Sequence, residues 1–478
     1  MRIVATITAV YLLLALAAPA QTFTVLHTFH RGDGAQPVSA LVQGLDGSFY
    51  GTTSGAGGTD GHGTIFKITP AGVFTSLHVF SEPPDGATPY GGLTLVPDGT
   101  FYGVTSGTSI SGLAGTVFKY SSDTLTTLHT FSTEDGAHPY ATLLLAADGN
   151  LYGTTTQGGT PEQSSIGTVF RITESGDFAG LYNFASGGDD GEYPYGALAQ
   201  NDAGAIYGTT RFGGAHNQGT LFRINKAGSF TTLYSFCAIG DTCTDGATTF
   251  AGLIQGADGA FYGVTYSGGN ATCAPSNVCG TAFKYDKNGL ITLHSFQGND
   301  GGAPEAPLYQ GTDGNLYGTA SNGGHADSVC GLVGCGTIFS VTPSGVFNLL
   351  YQFCAAAGCA DGARPLAGLV QGTDGNFYGA TNIGGSSNVG VIYKLSVGLP
   401  PFIKLLPGLG VTGQSIRILG NNLLGTTGVT FNGAPAEFTV NTNSFITAKV
   451  PAGVTSGTVQ VMTPNGVLSS NVAFQVSR

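Results

Sequence analysis

The sequence predicts an all-β protein: a seven-bladed β-propeller closed by its own N-terminal strand, followed by an immunoglobulin-like β-sandwich. Three observations carry this reading. An aromatic pair followed by Gly and a Thr-rich tail returns seven times, centred on Tyr50, Tyr102, Tyr152, Tyr207, Tyr262, Tyr317 and Tyr378. The period is near 50 residues, the length of a small sheet that buries its faces by stacking on neighbours. After Gly398-Leu399-Pro400-Pro401 the repeat stops and a Val/Thr/Asn-rich pattern takes over.

At the start, Arg2, the apolar run from Ile3 to Leu16 and Ala18-Pro19-Ala20 fit a secretory signal peptide cut before Gln21. The run is too short to span a bilayer, so residues 1–20 are read as a signal peptide and the mature chain as secreted, extracellular or at the cell surface. Each repeat then carries four strand-like segments. In the second repeat these are Tyr90 to Val96, Thr100 to Thr105, Gly115 to Tyr120 and Leu125 to Phe131. The first two segments are joined by Asp-Gly at Asp46, Asp98, Asp148, Asp258, Asp313 and Asp374, a tight-hairpin signal that predicts positive φ at both central positions. The fourth copy departs, with Asn201-Asp202-Ala203-Gly204 read as one residue longer.

The third segment recurs as GTxFKI and the fourth as FxxLHxF or FxxLYxF. A fourth-segment copy, Phe23 to Phe29, precedes every blade, while the last blade ends after Tyr393-Lys394-Leu395 without one. The N-terminal strand is therefore expected to complete the last blade and remove two exposed sheet edges. The domains follow as 1–20, 21–397 and 402–478.

Charged residues are 9% of the chain and the net charge is −12, which excludes nucleic acid and anionic membranes as partners, because both require a basic field. The eight cysteines fall into four couples: Cys237 with Cys243, Cys273 with Cys279, Cys330 with Cys335, and Cys354 with Cys359. In an exported chain these read as disulfides. Zinc is the competing reading, but such sites usually want a two-residue gap and a second pair or a His, and these gaps are four and five residues. No metal and no cofactor are expected.

Strand order places the Asp-Gly turns on one face of the ring. The opposite face takes the Gly-Gly loops, the DGAxP loops and all the cysteine couples, and its variation marks it as the working face. The DGAxP aspartates Asp33, Asp85, Asp135 and Asp361, with looser copies Asp190, Asp245 and Asp300, are candidates for a cation- or sugar-binding ring at the channel mouth. The alternative is that each caps its own turn. The fourth-strand His27, His78, His129 and His294 alternate with Tyr182, Tyr234 and Tyr351, so a ring that fits the packing suffices there. The third-strand cations, such as Lys67 and Lys284, either pair with a neighbouring carboxylate or lie solvated. The repeated strand glycine is read as space for packing between blades.

Catalysis would need residues that break the symmetry. Asp60 with His62, Arg211 with His216, His325 with Asp327, and Asp189, Asp190 and Glu192 form no recognisable constellation, so no catalytic residue is assigned.

The repeats, through YGTT, the Gly-Gly loop, GTxFKI and FxxLHxF, resemble the GloVer tandem repeats of exported bacterial proteins from Gln21 to Val397. Gly413 to Asn422, Val429-Thr430-Phe431-Asn432-Gly433 and Val459 to Asn465 resemble an IPT/TIG immunoglobulin-like domain. The resemblance implies export and transfers no catalytic residue. The expected function is a monomeric binding protein for an extracellular glycan or protein, not an enzyme. The alternatives are a polysaccharide-active hydrolase or lyase with carboxylates on the variable face, and a structural scaffold.

Overall fold

The computed structural model describes residues 21–477 except 58–60, 82–83, 108–111, 113, 160–165, 241 and 270–278. The expected signal peptide, Asp60 and Cys273 lie outside the described residues.

The described chain is all-β apart from one 3₁₀ turn at Ala357–Cys359. Seven four-stranded antiparallel sheets follow one another, each built as Val42–Gln43, Phe49–Thr53, Thr64–Ile68 and Phe74–Val79 are in the first. The seventh takes Val370–Gln371, Phe377–Thr381 and Val391–Ser396 from one end of the repeats and Thr22–Thr28 from the other. Phe23 pairs with Leu395, Thr24 with Lys394 and Thr28 with Val391. Phe23 also stacks on Tyr351, 3.9 Å between centroids, and on Tyr393 at 5.1 Å.

Apolar side chains bind successive sheets. Phe80 and Phe101 belong to a cluster between the first and second, Phe261 and Tyr207 to one between the fourth and fifth, and Phe377 and Tyr317 to one between the sixth and seventh. Phe49 and Tyr378 join the seventh back to the first, stacked 3.9 Å apart. The sheets therefore form a closed, propeller-like arrangement with its core between sheets.

The Thr-rich tail of the repeated phrase has two duties. Its first threonine donates to the next sheet, as Thr52 Oγ1 does to Gly91 O at 3.1 Å and Thr319 Oγ1 to Ala367 O at 3.0 Å. Its second meets the leading threonine of the third strand, as in Thr53–Thr64 and Thr155–Thr168, both 2.8 Å. The phrase glycine makes space inside a sheet rather than between sheets. A Cβ on Gly153 would lie 2.4 Å from Phe170 Cζ, and Gly153 and Phe170 are register partners on adjacent strands.

Three local expectations change. The innermost strand is two residues long, Thr94–Leu95 in the second sheet, because the segment before it spends its backbone on neighbouring sheets. Gly92 N, for example, donates to Thr142 Oγ1 at 2.8 Å. In the Asp-Gly turn, Gly47 has φ 80° but Asp46 is not left-handed. Asp46 Oδ1 instead accepts the Ser48 N–H at 3.0 Å, an Asx turn needing one glycine. The fourth copy is no longer than the others: Asn201 Oδ1 accepts Ala205 N at 2.9 Å, and Asn201 N pairs with Ala205 O as Gly44 N pairs with Ser48 O.

The C-terminal strands form two four-stranded sheets, one containing Lys404–Leu406, Ser415–Leu419, Phe445–Lys449 and Phe438–Val440, the other Ala434–Pro435, Gly428–Phe431, Val459–Thr463 and Gly466–Ser469, and a two-stranded parallel pair of Leu409–Gly410 with Gln475–Val476. Their inner faces share one core around Ile418, Ile446, Val429 and Val461. This part seats on the Asp-Gly face of the ring. Phe402 N donates to Thr373 O at 3.0 Å and Ser444 Oγ to Leu45 O at 2.7 Å. Lys404 enters between innermost strands, its ammonium donating to Gln371 O and lying 5.8 Å from the Tyr309 ring, above a cavity of about 280 Å³ lined by Leu41, Leu93 and Val370. Burial lowers its pKa to about 8. The C-terminal part thus sits over part of the Asp-Gly face.

Candidate functional site

The seven expected aspartates are not at the channel mouth. Each reaches the outermost strand of the preceding sheet, because the loop that carries it has just left that strand. His129 Nε2 and Asp135 are 3.0 Å apart, and His294 Nε2 and Asp300 2.9 Å. Tyr182 donates to Asp190 at 2.7 Å, Tyr234 to Asp245 at 2.7 Å and Tyr351 to Asp361 at 2.8 Å. His27 and His78 stand 3.2 Å from Asp33 and Asp85. The carboxylates also cap their own loops, as Asp33 does the His30 N–H at 2.8 Å and Asp300 the Gln297 N–H at 2.7 Å. The alternative stated above therefore holds, and the His/Tyr position is more than a packing ring: His129 and His294, like the three tyrosines, bring a polar hydrogen to Asp. Burial lowers the pKa of His27, His78 and His129 despite their Asp partners, which keeps them neutral at neutral pH.

On the Gly-Gly face the fifth residue after each loop aspartate is, in turn, Val38, Tyr90, Tyr140, Tyr195, Phe250, Glu305 and Leu366, preceded by Pro in every copy but the fifth, where it is Thr249. Four of them form an aromatic arc over successive sheets, with centroid separations of 4.9 Å for Tyr90–Tyr140, 5.2 Å for Tyr140–Tyr195 and 5.4 Å for Tyr195–Phe250. Tyr266 extends it, 5.0 Å from Phe250. The sixth sheet places Glu305 where its neighbours have rings. Ser321 Oγ donates to Glu305 Oε1 at 2.8 Å. Burial raises the Glu305 pKa, and the nearby guanidiniums of Arg211 and Arg364 act against that rise. Tyr266 is coupled to the same three charges, its own pKa raised first by burial.

Arg211 lies over Phe250 at 4.3 Å, Phe212 at 4.7 Å and Tyr195 at 5.5 Å, so its guanidinium joins the arc to the charged end. The Nε of Arg211 and of Arg364 are buried without a protein hydrogen-bond partner. Arg364 sits at φ 52° in its loop, and its N–H is held by Cys335 O at 2.7 Å. Ala303, two residues before Glu305, donates its N–H to Cys279 O at 3.0 Å. Disulfides Cys237–Cys243, Cys330–Cys335 and Cys354–Cys359 are formed, and those at the sixth and seventh sheets brace the charged side of the mouth.

Of the earlier symmetry-breaking candidates, Arg211 belongs to this site. Its proposed companion His216 is exposed on the Gly-Gly loop. Asp327 caps the Val329 N–H, and Glu192 accepts from Gly187 N at 2.8 Å, both local contacts. Glu305, Arg364 and the arc were missed because the repeats were compared at their shared residues. Aligning them on the loop aspartate exposes one position, five residues on, that reads Val, Tyr, Tyr, Tyr, Phe, Glu, Leu.

The family model of the Gloeobacter/Verrucomicrobia repeat matches residues 12–124, 85–275 and 241–427, and the chain belongs to that family. None of the curated proteins compared matches the sequence. Among solved structures, it is similar to a periplasmic gluconolactonase of Pseudomonas aeruginosa at 15% identity, covering 74% of this chain and 97% of that one, TM-score 0.41. A Thermus thermophilus protein assigned as an oxidoreductase (glucose dehydrogenase) is 14% identical over 64% of this chain and 96% of its own, TM-score 0.39. The extracellular domain of a Bacteroides thetaiotaomicron one-component system is 11% identical over 95% of this chain and 58% of its own, TM-score 0.49.

The expectation of a non-enzymatic binder, and of no enzyme, is corrected at this point, because folds of this kind are found in proteins named as enzymes. At these scores the likeness carries over no residue, substrate or reaction. No helix of the described residues is long and apolar enough to cross a membrane, and the disulfides fit an extracellular or periplasmic setting.

Proposed function

We propose that this chain is an exported polysaccharide lyase, acting at the Gly-Gly mouth on a glycan that contains uronate. The observation that carries the reading is Glu305, a carboxyl with a raised pKa beside two guanidiniums with unpaired Nε donors, at one end of an aromatic arc. Hydrolysis ordinarily uses two carboxylates; the charged groups coupled to Glu305 are instead Arg211 and Arg364, a pairing suited to elimination.

In the proposed reaction the arc takes the apolar faces of the sugar rings. Arg211 and Arg364 bind the C5 carboxylate of the uronate and stabilise charge developing on it. Glu305 removes the C5 proton, the pair of electrons forms the C4–C5 double bond, and the C4–oxygen bond breaks. Tyr266 gives the leaving oxygen a proton, recovered from water. With a net charge of −12 on the chain, this pair of guanidiniums decides where an anionic substrate docks.

The surrounding architecture is read as a seven-bladed β-propeller over 21–397 closed by its N-terminal strand, with an IPT/TIG immunoglobulin-like sandwich at 402–478. The cyclic sequence of apolar clusters and the two packed C-terminal sheets support this. Secretion after cleavage before Gln21 and a monomeric state belong to the same reading.

Incubating the purified chain with uronate polysaccharides should release oligosaccharides with the ultraviolet absorbance of unsaturated uronate. Glu305→Gln should lower the rate at least about a thousandfold without changing the melting temperature. Wild-type rates in E305Q, or new reducing ends without unsaturation, would sink the reading.

A further inference from the structure

Two cysteine couples that are separate in sequence become one cluster in the fold. Cys330 and Cys335 lie between the second and third strands of the sixth sheet, and Cys354 and Cys359 follow its fourth strand. Antiparallel pairing brings both loops to the same end of that sheet. All four sulfurs lie within 4.8 Å of one another and all four residues are buried. Cys330 Sγ is 3.9 Å from Cys354 Sγ, across the two couples.

A tetrahedral zinc–thiolate centre with bonds of about 2.3 Å has sulfurs about 3.8 Å apart. Each couple is a C-x₄-C, within the range of spacings such centres use. The second pair that neither couple supplies alone is supplied by the other. The turns that carry them are tight and partly left-handed: Cys354 and Cys359 have φ 60° and 52°, and Gly331 and Gly334 have φ 68° and 85°.

We propose that the thiol form of this cluster is a Zn²⁺ site with four thiolate ligands, the same sulfurs forming two disulfides when oxidised. Binding needs no electron transfer: four S–H bonds give up four protons and four Zn–S bonds form. Either state fixes the loops beside the mouth, since Cys335 O holds the Arg364 N–H and Cys359 O accepts Gly385 N at 2.8 Å. The thiol form is what the chain has before oxidation or after treatment with a phosphine reductant.

The test uses the full chain, reduced and desalted without oxygen, titrated with Zn²⁺ and, as a spectroscopic probe, with Co²⁺. One metal per chain is expected, with sulfur-to-cobalt charge transfer and the visible bands of a tetrahedral site. Cys330→Ser with Cys354→Ser should abolish both, while Cys237→Ser with Cys243→Ser should leave them intact. Three results would overturn the proposal. They are a reduced chain folded by circular dichroism that gives no thiolate–cobalt spectrum, a spectrum that survives in C330S/C354S, and an unfolded reduced chain that Zn²⁺ does not refold.

Discussion

Removing residues 21–28 tests whether the ring is held shut by its own N-terminus. The strand pairs at six positions, from Thr22 with Ser396 to Thr28 with Val391. An antiparallel pair of that length makes about six backbone hydrogen bonds, each worth roughly 1 kcal/mol net. Phe23 adds about 2 kcal/mol of apolar burial, and its stacking on Tyr351 and Tyr393 adds about 1 kcal/mol. The sum is about 9 kcal/mol, comparable with the entire stability of an ordinary domain, about 5–15 kcal/mol. Differential scanning calorimetry of the truncated chain should show loss of the cooperative transition of the ring, or a fall of roughly 15 °C or more. Phe23→Ala, which keeps the backbone pairing, should cost about 2–3 kcal/mol. A truncated chain melting within about 2 °C of the parent would refute closure by this strand.

Gly153→Ala forces Phe170 away from a Cβ that would sit 2.4 Å from its ring, and Phe170 is fully buried against Phe131 and Phe178. A loss of about 1–3 kcal/mol in chemical denaturation is expected, whereas an exposed glycine such as Gly149, with nothing near its Cβ position, serves as control only for the cost of its own φ of 80°. Acid should destabilise the ring through His27, His78 and His129. Their folded pKa values are lowered, first by burial, so the unfolded chain binds more protons below the ordinary histidine value of about 6.5. The stability is present above that value and is lost as pH falls below it. Replacing all three with Tyr, which the fourth, fifth and seventh loops already pair with Asp190, Asp245 and Asp361, should flatten the melting-temperature profile between pH about 7 and about 5.5. An unchanged profile would remove the histidines as its cause.

Much of the fold was legible because a blade is written in local terms. The Asp-Gly turns, the alternation of Phe66 and Ile68 against Lys67, and the misplaced fourth-strand copy at Phe23 are patterns within a few residues, and they predicted four-stranded sheets and the pairing with Val391 to Leu395. The cations were left open and are now resolved at two positions, where Lys67 meets Asp46 at 2.6 Å and Lys284 meets Asp258 at 2.7 Å. The site was not legible in the same way. Asp33 and its six counterparts were drawn to the mouth by their repetition, yet repetition in a closed ring is what shared structural duty produces. Glu305 and Arg364 stand 59 positions apart and enter one electrostatic environment only through the convergence of the sixth and seventh sheets.

The sequence by itself determined that the seven copies are equivalent four-stranded sheets and that the first strand belongs to the last sheet. Tertiary structure decided which differences meet. It seated the C-terminal strands on the Asp-Gly face. It also turned the aspartates outward, put Glu305 beside two arginines, and merged two cysteine couples into one cluster. The reason is physical: strand pairing and turn chemistry act over a few residues and repeat with the sequence, whereas charge coupling, ring stacking and sulfur proximity act through space between sheets about 50 residues apart.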